Sequence, residues 1–344
     1  MKKIFALAGI LLALGCGSVF AAKAKAETNK LKVVTTIFPE YDWARQVIGE
    51  KADNVELTLL LDNGVDLHSF SPSVKDIAKI QDADIFVYVG GESDEWVDDV
   101  LKNVKKPNQK VINLLEVLGD KVKAEEIVEG MEHEHEHEHH DEHGHDDHDD
   151  DDEHEHHEEH HHEEEEELDE HVWLSLKNAQ ILTSAIASAL CEVDAKNAEV
   201  YKKNLASYNA KLVALDAKYE EAVKAASKNT LVFGDRFPFR YMVEDYNLKY
   251  FAAFTGCSAE SEASFKTIVF LSEKVNELGL NTVCQIETGN GKIAKTVISN
   301  SKNKKAKVLT FDSLQSTTAK QIKKGATYLG AMEKNLEVLK ETLK

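Results

Sequence analysis

After residues 4–14 the chain has no apolar run long enough to cross a bilayer. Its cysteines, Cys16, Cys191, Cys257 and Cys284, form no C-x-x-C pair and no Cys/His finger spacing, which ranks a cysteine metal site or a thiol nucleophile low. In an oxidising compartment Cys257 and Cys284 could pair, leaving one thiol over. There is no basic stripe, which argues against nucleic acid as a partner. No H-E-x-x-H helix or other hydrolase signature occurs, which ranks a metallohydrolase low. Glycine and proline are both missing from residues 145–233, so nothing in that stretch obliges a helix to stop.

One segment concentrates what the rest of the chain has little of. Residues 132–167 consist of histidine, aspartate, glutamate and a single glycine, Gly144, with no basic or apolar residue. The tract holds 14 of the 16 histidines: His133, His135, His137, His139, His140, His143, His145, His148, His154, His156, His157, His160, His161 and His162. It also holds 21 acidic residues, so the other 41 acids match the 41 Lys+Arg and the net charge of −21 is local to it. Neutral imidazole binds zinc, copper and nickel, and carboxylates complete the donor set. With nothing to bury, the tract is expected to stay unfolded without metal and to offer many weak cation sites. An acidic solubilising spacer is the alternative, but it would need no histidine.

The N-terminus reads as an export leader. Met1-Lys2-Lys3 precedes the apolar run Ile4–Leu14, and Ala13-Leu14-Gly15-Cys16 resembles a loose lipobox that would lipidate Cys16. Cleavage among the small residues at Ala21 and Ala22 is the rival. Either outcome places the mature chain outside the cytoplasm, in a periplasm or on the outer face of a membrane.

Strand-like runs at Leu31–Ile37, Val55–Leu61, Asp84–Val89 and Lys110–Leu114 alternate with helical patterns at Pro39–Gly49, Val74–Asp82 and Asp94–Val104. An apolar helix is expected over Val172–Cys191. Next comes an amphipathic one, with Tyr201, Leu205, Tyr208, Leu212, Leu215, Tyr219 and Ala222 on one stripe. That stripe suits either a helix packed along two domains or, as the weaker option, a coiled-coil dimer seam. The alternation restarts with strands at Thr230–Phe233, Lys249–Phe254, Thr282–Ile286 and Lys307–Phe311. Helices are expected at Phe239–Tyr246, Phe265–Leu278, Lys292–Ser301 and Thr318–Leu343. The fold class expected is α/β: two α/β lobes with mainly parallel sheets joined by one long backbone helix. Its parts are a leader (1–26), an N-terminal lobe (27–131 with 168–192), the histidine loop (132–167), a linker helix (193–228) and a C-terminal lobe (229–344).

Ligands of open α/β sheets sit at the carboxyl ends of strands. His68, Asp235, Glu287 and Asp312 follow strand runs, and His171 opens a helix. One divalent ion held between the lobes suits these donors. The competing roles are helix capping for Asp235 and Asp312, and turn formation for Glu287 before Thr288-Gly289-Asn290-Gly291.

These residues carry a resemblance. Asn63-Gly64-Val65-Asp66-Leu67-His68-Ser69-Phe70-Ser71-Pro72 resembles the first metal-ligand segment of the zinc and manganese solute-binding proteins of ABC importers (cluster A-I). Gly90-Gly91-Glu92 with Glu95-Trp96 is similar to the next segment of that family, and Asp169-Glu170-His171-Val172-Trp173-Leu174-Ser175 to the one bearing its second histidine. An acidic histidine-rich loop just before it is typical of zinc-specific members. The resemblance implies a third ligand after the first strand of the second lobe and a fourth near the end of a late strand. The former segment, Phe233-Gly234-Asp235-Arg236-Phe237-Pro238, has no histidine, so Asp235 is its candidate. Asp312 in Phe311-Asp312-Ser313-Leu314 is the other, with Glu287 in reserve. Two histidines with two carboxylates suit manganese, whereas the imidazole-rich tract points to zinc. The resemblance therefore implies Zn²⁺ as cargo, with Mn²⁺ as the alternative, carried by a monomer to an ABC permease, and no enzymatic activity. A zinc-buffering or adhesin surface lipoprotein is the competing class.

Overall fold

The computed structural model describes residues 30–131, 167–258 and 262–344. The leader and all of the histidine tract except Glu167 lie outside the described residues.

The first lobe runs β1 (Leu31–Thr35), α1 (Phe38–Ile48), β2 (Val55–Leu59), α2 (Val74–Gln81), β3 (Ile85–Tyr88), α3 (Trp96–Leu101), β4 (Lys110–Asn113) and α4 (Leu114–Leu118). Its four strands are all parallel, in the order β2-β1-β3-β4. Every residue of Ile85–Tyr88 is buried, as expected of a strand covered on both faces. Two helices follow, α5 (Leu176–Val193) and α6 (Ala198–Ala225). The second lobe then runs β5 (Thr230–Phe237), α7 (Arg240–Asp245), β6 (Lys249–Thr255), α8 (Phe265–Glu277), β7 (Thr282–Ile286), α9 (Lys292–Asn300), β8 (Lys307–Phe311), α10 (Ala319–Lys323) and α11 (Tyr328–Thr342). Its parallel sheet repeats the first lobe's order, as β6-β5-β7-β8.

With 28 residues, α6 is about 42 Å long. Its stripe of Tyr201, Tyr208, Leu212, Leu215 and Tyr219 is buried within the chain, against α5, α1 and α11, and so is not available as a dimer seam. Tyr219 donates to the Met332 carbonyl at 2.6 Å and Asn204 to the Val47 carbonyl at 3.0 Å, one bond to each lobe.

Three local departures from the sequence expectation have physical causes. Helix α5 begins only at Leu176, because the Ser175 hydroxyl caps the Asn178 amide and Val172–Leu174 form a separate 3₁₀ turn. The run Thr318–Leu343 divides into α10 and α11 at Gly325, whose φ of +95° ends the first helix. Strand β5 continues past Phe233 through an irregularity at Gly234-Asp235 to Phe237. Glycine is required there, since a Cβ on Gly234 would lie 2.5 Å from the Ala294 Cα of α9.

The lobes are joined by more than α6. Trp173 Nε1 donates to the Ser313 carbonyl at 2.9 Å, and the Trp173 carbonyl accepts from Tyr328 Oη at 2.7 Å. Tyr328 N donates to Asp42 at 2.7 Å, and the Arg236 guanidinium pairs with Asp66 at 2.7 Å. Cys191, Cys257 and Cys284 are all free thiols. Cys284 sits buried in β7, so the pairing with Cys257 allowed by the sequence does not form.

Candidate metal centre

His68 lies in the 3₁₀ turn Leu67–Ser69 after β2, where the Asp66 carboxylate accepts the His68 amide at 3.2 Å. Its Nδ1 is 2.7 Å from Ser93 Oγ, in the turn that follows β3. Gly90 and Gly91, with φ of +92° and +79°, shape that turn. A Cβ on Gly91 would lie 2.4 Å from Glu170 Oε1, the oxygen that accepts the Ser93 amide at 2.9 Å. The second Glu170 oxygen is buried, has no other hydrogen bond, and lies 3.4 Å from His68 Nδ1. Burial works to raise Glu170, but the bonds from His68 and Ser93 hold its carboxyl below the usual glutamate value.

His171 is fully buried just ahead of the Val172–Leu174 turn. Asp169 Oδ1 accepts both its backbone amide (2.9 Å) and its Nδ1 (3.0 Å). Burial alone would lower this imidazole; the Asp169 bond, with Glu125 and Glu170 nearby, outweighs it and holds His171 above the ordinary histidine value. With both Nδ1 atoms engaged, the two Nε2 atoms face each other 3.2 Å apart. Tetrahedral zinc, with Zn–N of about 2.0–2.1 Å, sets its donor atoms about 3.3–3.4 Å apart. The pair is therefore already close to the spacing of two ligands on one ion, and each ring is oriented by an outer partner, as metal-bound histidines usually are.

Two further residues converge here. Among the described residues, ligand atoms of His68, His171 and Cys257 all lie within 4.8 Å of one another, and so do those of Glu125, Asp169 and His171. Cys257 follows β6, and its amide donates to Glu125 Oε1 at 3.0 Å. Burial, and then Glu125, push the Cys257 thiol far above its usual value, so without a cation it holds its proton. Glu125 belongs to a clamp closed by the Ala124–Leu168 bridge, Glu125 N to the Glu167 carbonyl (2.7 Å) and Asp169 N to the Lys123 carbonyl (2.8 Å). The C-terminal end of the histidine tract therefore joins the fold at Glu167, four residues before His171. Gly256 lets the β6 end approach: a Cβ there would stand 2.9 Å from His171 Cε1. Gly256→Ala should displace the ring and weaken zinc binding about tenfold, as loss of an orienting contact does, with calorimetric titration as the check.

Among the described residues, Asp312, Asp235 and Glu287 are in neither of these donor groups, and each accepts hydrogen bonds from its own lobe. Asp312 Oδ1 accepts the amide of Leu314, whose φ is +64°, at 2.9 Å. Asp235 accepts the Arg236 amide (2.9 Å) and the Ile286 amide (3.2 Å). Glu287 accepts Ser313 N, Ser313 Oγ and Ser316 Oγ at 2.7–3.0 Å.

Burial, with Glu287 nearby, raises Asp312 to about 6. The unfolded value is about 3.9, so between the two the native state keeps a proton that the unfolded chain has lost. Stability contributed there falls as pH rises from about 4 to 6, by about 2–3 kcal/mol. Asp312→Asn, which keeps an acceptor for Leu314, should flatten that part of the profile and stabilise the protein at pH 7 by about 2 kcal/mol. Thermal unfolding from pH 4 to 7 tests this.

The family described as "Zinc-uptake complex component A periplasmic" (ZnuA) matches residues 33–342. The chain belongs to the ZnuA family. It is 32% identical to the zinc-binding protein AdcA of Streptococcus pyogenes serotype M6, over 99% of this chain and 61% of that protein. The chain thus spans about three fifths of the length of that relative. It is 31% identical to the high-affinity zinc uptake system protein ZnuA of Bacillus subtilis, over 97% of this chain and 94% of that protein. Among solved structures, the Zn(II)-bound ZnuA-like domain of Streptococcus pneumoniae AdcA is similar with a TM-score of 0.66 and 28% identity, covering 91% of this chain and 99% of that one. This ZnuA-family chain has the two parallel lobes and long helix of that solved domain. The His68 and His171 segments were legible in the sequence as motifs. Cys257 and Glu125 were missed, although Thr255-Gly256-Cys257 also follows a strand, and that position was the available signal.

Proposed function

We propose that this chain is an extracytoplasmic zinc-binding protein that delivers the ion to the permease of an ABC importer, with His68 and His171 as its imidazole ligands. The observation that carries this is the pair of Nε2 atoms 3.2 Å apart, each ring fixed from behind by Ser93 or Asp169. Membership in a zinc-uptake family, and relatives named for zinc binding and zinc uptake, support zinc as the cargo. The role is one of capture and hand-over, which requires no catalytic step. Lipidation at Cys16 would keep the loaded protein near its permease; a relative from Streptococcus pneumoniae is named a zinc-binding lipoprotein.

The histidine tract has a separate role as a tethered array of weak sites that raises the local ion concentration beside His171. Calorimetric zinc titration should resolve one tight site and several weak ones in the mature chain. Deleting residues 132–166, which leaves the Glu125–Glu167 clamp in place, should remove only the weak ones. If the deletion took the tight site with it, function would belong to the tract and the buffering reading would replace this one.

A further inference from the structure

We propose that Cys257 is the third ligand of the cation held by His68 and His171, and that its sulfur selects zinc over manganese. The inference rests on the zinc-binding reading above and deepens it. Four observations carry it. The donor atoms of Cys257, His68 and His171 form one mutual group within 4.8 Å. The thiol is free, not in a disulfide. The Cys257 backbone is fixed by its amide bond to Glu125 Oε1 at 3.0 Å, and Gly256 allows that strand end to lie against the His171 ring. Finally, among the described residues Cys257 is the second-lobe residue found in a donor group with the two histidines, and Asp235, Glu287 and Asp312 are in neither group.

A half-buried cysteine is more often a small apolar filler. That role does not require a sulfur facing two imidazoles whose outer nitrogens are already engaged. Zinc with Zn–S of about 2.3 Å and Zn–N of about 2.0–2.1 Å needs an S–N separation of about 3.5 Å, which lies inside the 4.8 Å that bounds this donor group. Chemically, Zn²⁺ replaces the thiol proton: the S–H bond breaks, a Zn–S bond forms, and the proton passes to solvent. A thiolate beside two imidazoles is a softer donor set than two imidazoles and two carboxylates, and it disfavours manganese, which prefers oxygen. Glu125, bonded to the Cys257 amide and grouped with His171, is a carboxylate available to complete the shell.

The test uses the full mature chain, reduced and metal-free, loaded with one equivalent of Co²⁺ or Zn²⁺. The histidine tract contains no cysteine, so a thiolate-to-cobalt charge-transfer band in the near ultraviolet cannot arise from it. Zinc-edge absorption on the unaltered protein should show one sulfur neighbour at about 2.3 Å. Cys257→Ser should lose both signals and bind zinc about 100-fold more weakly, with manganese affinity held or raised. Circular dichroism before loading establishes that the variant is folded. If the unaltered protein shows no sulfur neighbour while His68→Ala still loses zinc, Cys257 is a filler and only this inference falls. If the unaltered protein binds no zinc tightly, the functional reading falls with it.

Discussion

Replacing His171 with alanine should cost this protein at least two orders of magnitude in zinc affinity. Free energies of about 10–16 kcal/mol for protein-bound zinc, divided over four ligands, assign about 3 kcal/mol to each. At 1.4 kcal/mol per tenfold, that is a factor of about 100 or more. The effect belongs to the nitrogen and not to packing alone. Asp169→Asn, which keeps the ring in place but weakens its outer hydrogen bond, should therefore cost about 10–100-fold. His68→Ala should match His171→Ala, and the double variant should retain only the weak binding of the tract. Competition titration against a chelator of known affinity separates these ranks. Equal affinities in the unaltered protein and the double variant would remove the crevice from the function.

The largest effect on stability is expected at Trp173. Its ring is fully buried, centred 5.2 Å from the His171 ring, and its side chain and carbonyl each bond an element of the second lobe. Trp173→Ala removes the ring and leaves the Ser313 carbonyl without its indole donor, at a cost of about 3–5 kcal/mol. For a chain of this size, unfolding should begin roughly 5–9 °C earlier. Because the same residue braces His171, zinc should restore less of the lost Tm in the variant than it adds to the unaltered protein. Thermal scans with and without zinc measure both quantities. Trp173→Phe, which keeps most of the apolar volume, should recover most of the stability but not the bond to Ser313.

The architecture was readable because periodicity and strand-end position are local properties. All eight strands fall within two residues of their expected starts, apart from the extension of β5 to Phe237 through a bulge that no alternation pattern encodes. His68 and His171 were readable for a similar reason: each lies in a short run that also contains an orienting neighbour, Asp66 for the first and Asp169 for the second. What was not readable is which residues of the second lobe come to meet them. Asp312, Asp235 and Glu287 have the right residue type and the right place after a strand, and in this structure each accepts hydrogen bonds from its own lobe. Cys257 lacked any spacing signal, because its partners lie in the other lobe and meet it only once the lobes pack.

The clamp at Lys123–Glu125 and Glu167–Asp169 bears on how such a protein can change over time. It closes the fold beneath whatever chain joins Met131 to Glu167. Lengthening a connection whose ends are already pinned is inexpensive, about 0.6 kcal/mol for each doubling if the insert is flexible. Histidines can therefore be gained, lost or duplicated between those two points with little demand on the lobes. Descendants living where zinc is abundant or scarce could tune capture by insertion and deletion alone, leaving the crevice residues unchanged.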